Sequence, residues 1–293
     1  MTGLRQALAR TAPPPVRLLA RGVYRWWRGV GLPASSRGTV QDLYYWVADG
    51  KIDTNILLNN FYSALFPTID TTSRGTVTIF DADGTRLGAT DISLGHLQSE
   101  KLTLSKLLRQ WPAKGGAPAS SFGSLLIDLE IPRAVLTRIA DLPEPCFFWH
   151  RFYIEYVTAR SQPAFVHCVD KTWIHRQGSP RLLPWYWRPH ARDWAPEMPL
   201  NIDDYRRLFV ILINRTHRAA PVTLTVADNR DGIETFTATI PSLGVHRFEL
   251  TRQALRRLET RELRMTVAGM PTAWARPVLF KEFENGTIST MHC

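Results

Sequence analysis

Apolar and β-branched residues form short runs from Leu43 to the C-terminus, and Gly, Pro, Asp and Asn interrupt these runs. Short runs of this kind between turn-forming residues are typical of β-strands. In the C-terminal third, successive runs predict strands at 208–213, 221–227, 235–240, 245–250, 262–268, 276–283 and 287–292. Short helices are predicted at 104–111, 133–139 and 252–258. This strand spacing predicts a β-sandwich.

The sequence also contains an internal repeat. Residues 77–84, 92–95 and 102–105 read VTIFDADG, ISLG and LTLS, and the order returns as VTLTVAD, IPSLG and FELT at 222–228, 240–244 and 248–251. Each copy then reaches a last strand that ends in a His-Cys pair, at His167-Cys168 and at His292-Cys293. A repeat of this length must bury its own core, so it predicts two similar domains in tandem.

We therefore predict a mainly β fold with two tandem, internally duplicated β-sandwich domains and an N-terminal amphipathic helix. The predicted parts are a basic helical tail and linker at 1–42, a first sandwich at 43–172, an aromatic and Pro-rich linker at 173–204, and a second sandwich at 205–293. The repeat is expected to make residues 77–81 equivalent to 222–226. It also predicts that His167 and His292 occupy equivalent strand ends.

Composition and charge fit a folded protein with a basic tail. The 293 residues are 44% hydrophobic and 21% charged, which is typical of globular domains. The net charge is +10, but residues 1–41 hold seven Arg and no acidic residue. The remaining 252 residues contain 29 basic and 26 acidic residues. The basic charge therefore belongs mainly to the tail, and nucleic-acid binding by the folded body is not expected.

The tail predicts a surface helix at 16–30, after three consecutive prolines. Its basic and aromatic positions fall on opposite sides of a helix, and the candidate membrane-binding residues are Arg17, Arg21, Arg25, Trp26 and Trp27. This pattern is typical of a helix that lies in an anionic membrane interface. An amphipathic helix packed on its own protein, with the Arg residues in solvent, gives the same pattern. Both interpretations remain open.

The expected location is the cytoplasm, at the inner face of the membrane if the tail helix is an anchor. Arg residues interrupt every apolar stretch of the tail, so no secretory signal is predicted. The cysteines Cys146, Cys168 and Cys293 form no CxxC motif, which favours a reducing compartment.

We expect no metal ion and no cofactor. Adjacent residues of a strand point to opposite faces, so one His-Cys pair does not readily chelate a single ion. The Asp81-x-Asp83-Gly84 segment predicts a hairpin turn rather than a calcium loop, because the further ligands of such a loop are absent from the sequence.

The aromatic linker supplies the candidate ligand-binding residues, which are Trp173, His175, Trp185, Trp187, Arg188 and His190. Flat aromatic rings beside Arg and His side chains stack on sugar rings or bases, while the polar groups hydrogen-bond to hydroxyls or phosphates. The alternative is that these aromatic side chains plug the junction between the two sandwiches.

Motifs of well-defined enzyme classes are absent from the sequence: there is no G-x-S-x-G elbow, no Gly-rich phosphate loop and no HExxH. Glu130 and Glu155 lie in predicted strands and would form a pair of catalytic carboxylates if they faced one cleft. Glutamates in strands are more often found on a solvated face.

Three segments of the first domain, residues 45–52, 76–81 and 161–170, resemble the small β-sandwich of the sensory rhodopsin transducer family. In that family a Trp-containing opening strand ends in an acidic-Gly-x-Ile turn, and a late strand carries Pro, Val and His before an Asp. The resemblance implies a sandwich that binds a partner or a ligand and has no catalytic machinery. The insertion at 108–120 and the tandem arrangement depart from the family.

Three hypotheses for function follow, of which nucleic-acid binding through the Arg residues of the tail is the least expected. The leading one is a non-enzymatic tandem β-sandwich protein that binds a small-molecule or glycan ligand, or a protein partner, at the domain junction. Contact between its tail and an anionic membrane surface is an additional option. The alternative is an enzyme that acts on a glycan or another polyhydroxylated substrate and uses the Trp-rich linker as a lid.

Overall fold

The computed structural model describes residues 38–111, 120–140, 152–167, 173–176, 200–259, 261–269, 271 and 277–292. The predicted tail helix, with Arg17, Arg21, Arg25, Trp26 and Trp27, lies outside these residues. Among the helices of the described part, none is long and apolar enough to cross a membrane.

The first sandwich consists of two antiparallel sheets. Their strand orders are β4-β3-β6-β1-β9 and β5-β2-β7-β8. The strands are β1 (Gly38–Val47), β2 (Ile52–Asn59), β3 (Ser73–Asp81), β4 (Arg86–Leu94), β5 (Ser99–Thr103), β6 (Phe122–Ile131), β7 (Phe152–Thr158), β8 (Ala164–Val166) and β9 (Trp173–Arg176). The helices are α1 (Phe61–Leu65), α2 (Leu104–Gln110) and α3 (Arg133–Ala140).

The second sandwich has the strand orders β13-β10-β15-β16 and β12-β11-β14, again antiparallel. A 3-10 turn at Ile202–Asp204 precedes its strands. These are β10 (Arg207–Ile213), β11 (Ala220–Ala227), β12 (Ile233–Ile240), β13 (Val245–Leu250), β14 (Arg264–Ala268), β15 (Val278–Glu282) and β16 (Ile288–His292). The predicted mainly β fold is confirmed.

The predicted helix at 252–258 is wrong, because this segment is a series of turns. The Leu255 N–H donates to Thr251, four residues back, whereas the Leu258 N–H donates to Leu255, three residues back. Both leucines are buried in the second core. The buried leucines thus give the segment a helix-like pattern without continuous helical hydrogen bonding.

The predicted duplication is visible in the strand pairing. The central strand β2 lies between β5 and β7, as β10 lies between β13 and β15. In the facing sheets, β3 lies between β4 and β6, as β11 lies between β12 and β14. The strands from β2 to β8 therefore match those from β10 to β16 in order and pairing. The first sandwich adds β1 and β9 beyond β6.

Turns fix the register of the repeat. Asp81 and Asp228 each use Oδ1 to accept hydrogen bonds from the backbone N–H groups two and four residues later. Asp81 is therefore equivalent to Asp228, and the predicted match of 77–81 with 222–226 is wrong by two residues. The equivalent segment is 224–228. A two-residue shift leaves the same side chains facing the core, so the hydrophobic pattern does not distinguish the two registers.

The two His residues occupy the predicted equivalent positions. His167 directly follows the edge strand β8, and His292 ends the matching edge strand β16. Pairing of Glu155 with Phe165 in the first sandwich corresponds to pairing of Phe280 with Thr290 in the second. The register prediction for this pair is confirmed.

One hydrophobic core belongs to the second sandwich alone, whereas the core of the first sandwich includes side chains from both sandwiches. Strand β10 is apolar on both faces after Arg207, as expected for a strand buried on both sides. Leu208, Val210 and Leu212 pack in the core of the second sandwich, whereas the alternate residues Phe209, Ile211 and Ile213 belong to the core of the first. The outer face of the β13-β10-β15-β16 sheet is thus buried against the first sandwich.

The hairpin turn between β3 and β4, together with Ser124 on β6, forms hydrogen bonds to the second sandwich at this junction. The Val245 N–H donates to the Ala82 carbonyl at 2.8 Å, and the Ser124 hydroxyl donates to the Leu243 carbonyl at 2.5 Å. Gly84 in the same turn has a φ of +79°, which favours glycine. A Cβ atom at Gly84 would lie 2.0 Å from the Ser242 carbonyl oxygen.

Gly84→Ala is expected to destabilise the chain by clearly more than Gly50→Ala. Both glycines have a left-handed φ, +79° and +84°, so both variants incur backbone strain of about 1–2 kcal/mol. A Cβ atom at Gly50 meets nothing within 4 Å, whereas at Gly84 it must displace the turn of the second sandwich. Urea unfolding of the two variants measures the difference. Equal losses would show that the turn does not hold the junction.

Candidate binding site at the domain junction

Arg247 on β13 joins the two sandwiches at the edge of their shared core. Its guanidinium carbon lies 3.8 Å from the ring centroid of Phe122 and 5.2 Å from that of Phe209. Its Nη1 group donates to the Tyr45 hydroxyl at 3.4 Å. Each cation–π contact contributes about 0.5–2 kcal/mol. The guanidinium is therefore held by aromatic side chains of both sandwiches while Arg247 remains only half-buried.

Tyr45 is a neutral neighbour of this cation. Burial raises the pKa of Tyr45 to about 12, although Arg247 lowers that pKa in part. The folded state holds the phenol proton more tightly than the unfolded chain, so the stabilisation is present below pH 10.0 and is lost as pH rises towards 12. At neutral pH the phenol carries no charge. It therefore does not neutralise Arg247.

The nearby carboxylates of the second sandwich are engaged by another arginine. Arg207 lies 3.5 Å from Glu249 and 2.6 Å from Glu282, measured between guanidinium nitrogen and carboxylate oxygen. The neighbouring Arg206 also lies near Glu282, at 3.6 Å. Among the described residues, no carboxylate lies within 4.0 Å of the Arg247 guanidinium. Arg247 thus carries a charge that these groups do not pair.

The equivalent place in the first sandwich has a complete ion pair. There the Glu155 carboxylate accepts hydrogen bonds from Lys101 at 2.6 Å and from Asn55 at 2.7 Å. The strand registers make Lys101 equivalent to Arg247, Asn55 to Phe209, and Glu155 to Phe280. The second sandwich has therefore kept the cation and has phenylalanine in place of its amide and carboxylate partners.

The predicted linker residues are only partly described. Trp173 and His175 belong to β9, where their backbones pair with Gln41 and Thr39 on β1. The first four residues of the predicted linker thus form an edge strand of the first sandwich. Tyr45, further along β1, contacts the second sandwich through Arg247. Strand β1 therefore pairs with β9 through its first residues and contacts the second sandwich through Tyr45, closer to its end.

The other predicted ligand-binding residues lie outside the described part of the chain, and they are Trp185, Trp187, Arg188 and His190. Their role, as ligand contacts or as a plug, stays a prediction. Side chains of the strands themselves fill the described junction: the Tyr156 ring packs edge-on against Phe280 at 5.4 Å between centroids.

Sequence reasoning missed Arg247, Tyr45, Phe122 and Phe209 as neighbours. Each lies in an ordinary strand pattern, and they are far apart in the chain. The available signal was the repeat itself. In the correct register, Arg247 is the position equivalent to Lys101, and the acidic partner of Lys101 has no equivalent in the second copy.

Glu130 and Glu155 do not form the catalytic pair considered from the sequence. Glu130 lies on β6 between residues of the core, and Glu155 lies on β7 of the facing sheet, also between core residues. Because side chains alternate along a strand, the two carboxylates lie on the outer faces of opposite sheets. Within the described ranges, no group of three His, Cys, Asp or Glu side chains could hold a metal ion.

Fold and junction together define a mainly β protein of two tandem sandwiches that pack together through one common hydrophobic cluster. No family model matches the sequence, and no curated protein does. The chain is similar to parts of larger solved structures. A glycosyl hydrolase family 2 member from Bacteroides cellulosilyticus is 9% identical, with 88% of this chain and 26% of that chain covered and a TM-score of 0.17.

Two further solved structures give similar values. A beta-glucuronidase from glycoside hydrolase family 2 is 11% identical, covering 90% of this chain and 24% of that chain, with a TM-score of 0.17. A Bacteroides uniformis beta-glucuronidase is 10% identical, covering 88% and 26%, with a TM-score of 0.16. This chain spans about a quarter of the length of these proteins, and similarity this low carries no argument about function. The resemblance to the sensory rhodopsin transducer family stays a prediction.

Proposed function

We propose that this chain is a non-enzymatic protein that binds a glycan or a related polyhydroxylated ligand at the domain junction. The observation that carries the proposal is Arg247, a half-buried cation held between Phe122 and Phe209 with no carboxylate partner among the described residues. A guanidinium offers donors in a rigid planar fork, which suits ligands rich in oxygen acceptors.

Phe122 is the partly exposed ring next to this guanidinium, whereas Tyr45 and Phe209 are buried and support Arg247 from within the core. An exposed aromatic face stacks on the apolar face of a sugar ring. Trp173 and His175 belong to the strand that pairs with β1. The linker residues Trp185, Trp187, Arg188 and His190 are proposed as further ligand contacts. In this proposal the tail residues Arg17, Arg21, Arg25, Trp26 and Trp27 bring the protein to an anionic membrane surface.

An enzyme acting on glycans finds less support. Two carboxylates that flank one bond are the usual requirement for glycoside hydrolysis, and Glu130 and Glu155 lie on opposite outer faces. Placement at the junction of two domains is common for sites that bind without covalent chemistry as well as for enzymes. The absence of an opposed pair in these strands therefore favours binding.

Affinity electrophoresis of the full chain in gels containing soluble polysaccharides tests the proposal. Arg247→Met is expected to weaken retention at least about tenfold, since charge-assisted hydrogen bonds are each worth about 1.5–3 kcal/mol. Lys101→Met is the matched control, because it removes the equivalent cation from the first sandwich. Circular dichroism confirms that both variants fold. Unchanged retention of Arg247→Met would place ligand binding elsewhere, and release of reducing ends would support the enzyme alternative.

A further inference from the structure

The repeat provides an internal comparison for the charge of Arg247. In the first sandwich, Lys101 is neutralised by Glu155, which is almost fully buried. In the second sandwich, Phe280 stands where Glu155 stands, so the cation has no intramolecular counterpart at that position. Because Arg247 is only half-buried and has no carboxylate partner among the described residues, its exposed side is open to an anion from outside.

Other acidic groups near Arg247 have partners of their own. Glu249 and Glu282 pair with Arg207. Asp49, which influences Tyr45, accepts hydrogen bonds at Oδ1 from the Lys51 and Ile52 backbones at 2.9 and 2.8 Å. Glu249, Glu282 and Asp49 are therefore each engaged in structural contacts of their own.

Arginine, the residue at position 247, is better suited than lysine to binding a planar or tetrahedral anion. Arginine presents parallel N–H donors that match a carboxylate or a phosphate in a two-point contact, whereas lysine acts as a point charge. The rings of Phe122 and Phe209 restrict where the guanidinium plane lies. Restricting a flexible side chain before binding lowers the entropy cost of binding.

We infer that the ligand of the junction site carries an anionic group, a carboxylate or a phosphate, and that Arg247 pairs with it. This inference rests on the proposed function and names the chemical class of its ligand. Arg247 acts as a binding residue for the anion. Phe122 and Phe209 act as positioning residues that hold the guanidinium.

A glycan microarray of matched pairs tests the inference with the full chain. Each pair differs only in charge: an oligogalacturonide against its methyl ester, and a mannose oligosaccharide 6-phosphate against the unphosphorylated form. Wild-type protein is expected to bind the charged member of at least one pair about tenfold or more tightly. The carboxylate and phosphate pairs distinguish the two sources of negative charge.

Variants separate the site from the basic tail, which would attract any anionic glycan. Arg247→Met removes the guanidinium and leaves the tail unchanged. It should therefore lose the preference for the charged member if Arg247, and not the tail, makes the contact. Arg247→Lys should retain part of the preference, because it keeps the charge and loses the fork. Lys101→Met should behave as wild type. Equal loss of preference in Lys101→Met would instead show a general effect of net charge.

The outcomes distinguish the inference from the function on which it rests. Equal binding of charged and neutral members by the wild type, with loss in Arg247→Met, would overturn the anionic ligand and leave ligand binding at the junction intact. Preference for charged members that survives in Arg247→Met would overturn the inference and assign the attraction to the tail. If none of the printed glycans shows binding that depends on Arg247, both the inference and the proposed function are overturned.

Discussion

Replacing Phe280 with alanine is expected to lower the free energy of unfolding of the chain by about 3–5 kcal/mol. The Phe280 side chain is 3% exposed and packs edge-on against Tyr156 of the first sandwich and Phe209 of its own sheet. Removal of the ring leaves a cavity in the core that both sandwiches share. Urea unfolding followed by intrinsic fluorescence measures the loss.

Phe165→Ala provides the control for Phe280→Ala. Phe165 lies on β8 and is 48% exposed, so its truncation is expected to cost less than about 1 kcal/mol. Because the core is shared, wild-type protein is expected to unfold in a single cooperative transition. Similar losses for the two variants, or a separate transition for the second sandwich in wild-type protein, would contradict a common core.

Asn214→Ala is expected to destabilise the chain by about 2–4 kcal/mol, because buried carbonyl groups lose their donor. The side chain of Asn214 is fully buried, and its Nδ2 group donates to the carbonyls of Arg218 and Ile240, both at 2.7 Å. Its Oδ1 atom accepts from the Thr216 N–H at 2.7 Å. One amide thus connects the strand end of β10 to the turn after β12. Urea unfolding measures the effect.

Asn285→Ala is the matched control for Asn214→Ala. Asn285 also uses Oδ1 to accept from a backbone N–H two residues later, that of Thr287 at 2.9 Å, but its hydrogen bond is exposed. Water can replace an exposed partner, so the expected loss is about 1 kcal/mol or less. If both asparagine variants lost the same stability, burial of the Asn214 amide would not be the cause.

Asn60 repeats the role of Asn214 in the first sandwich. Its Nδ2 group donates to the Leu94 carbonyl at 3.2 Å, as Asn214 donates to Ile240, and its backbone N–H donates to Gln98 as that of Asn214 does to Gly244. Leu97 and Leu243, in the two turns, both have a positive φ near 60°. The repeat therefore preserves a buried polar connection as well as an apolar core.

The strands and the duplication were predictable because both depend on local patterns. Alternation of apolar residues identifies a strand wherever one face is buried, and the predicted helices at 104–111 and 133–139 correspond to α2 and α3. The register of the repeat was not predictable from hydrophobicity. It is set by the Asp81 and Asp228 turns, where the informative residue is a single side-chain acceptor.

The candidate site was less predictable than the fold. Arg247, Phe122 and Tyr45 come from three separate strands, and their proximity depends on how one sandwich packs on the other. The sequence drew attention to the linker because its Trp and Arg residues are concentrated there. The sequence did not predict strand β9 for the same reason. Trp173 to Arg176 resemble the linker in composition, although their backbone pairs with β1.

The way the two sandwiches pack has a consequence for the order of biosynthesis. An isolated second sandwich would present Phe209, Ile211 and Phe280 to water, because these side chains complete the core of its neighbour. A ribosome releases the N-terminal half first, and domains generally fold as they emerge. The first sandwich can therefore fold before the apolar outer face of the second-sandwich sheet forms, and it can cover that face as it forms. Reversal of the domain order by circular permutation would remove this protection and favour aggregation of the nascent chain.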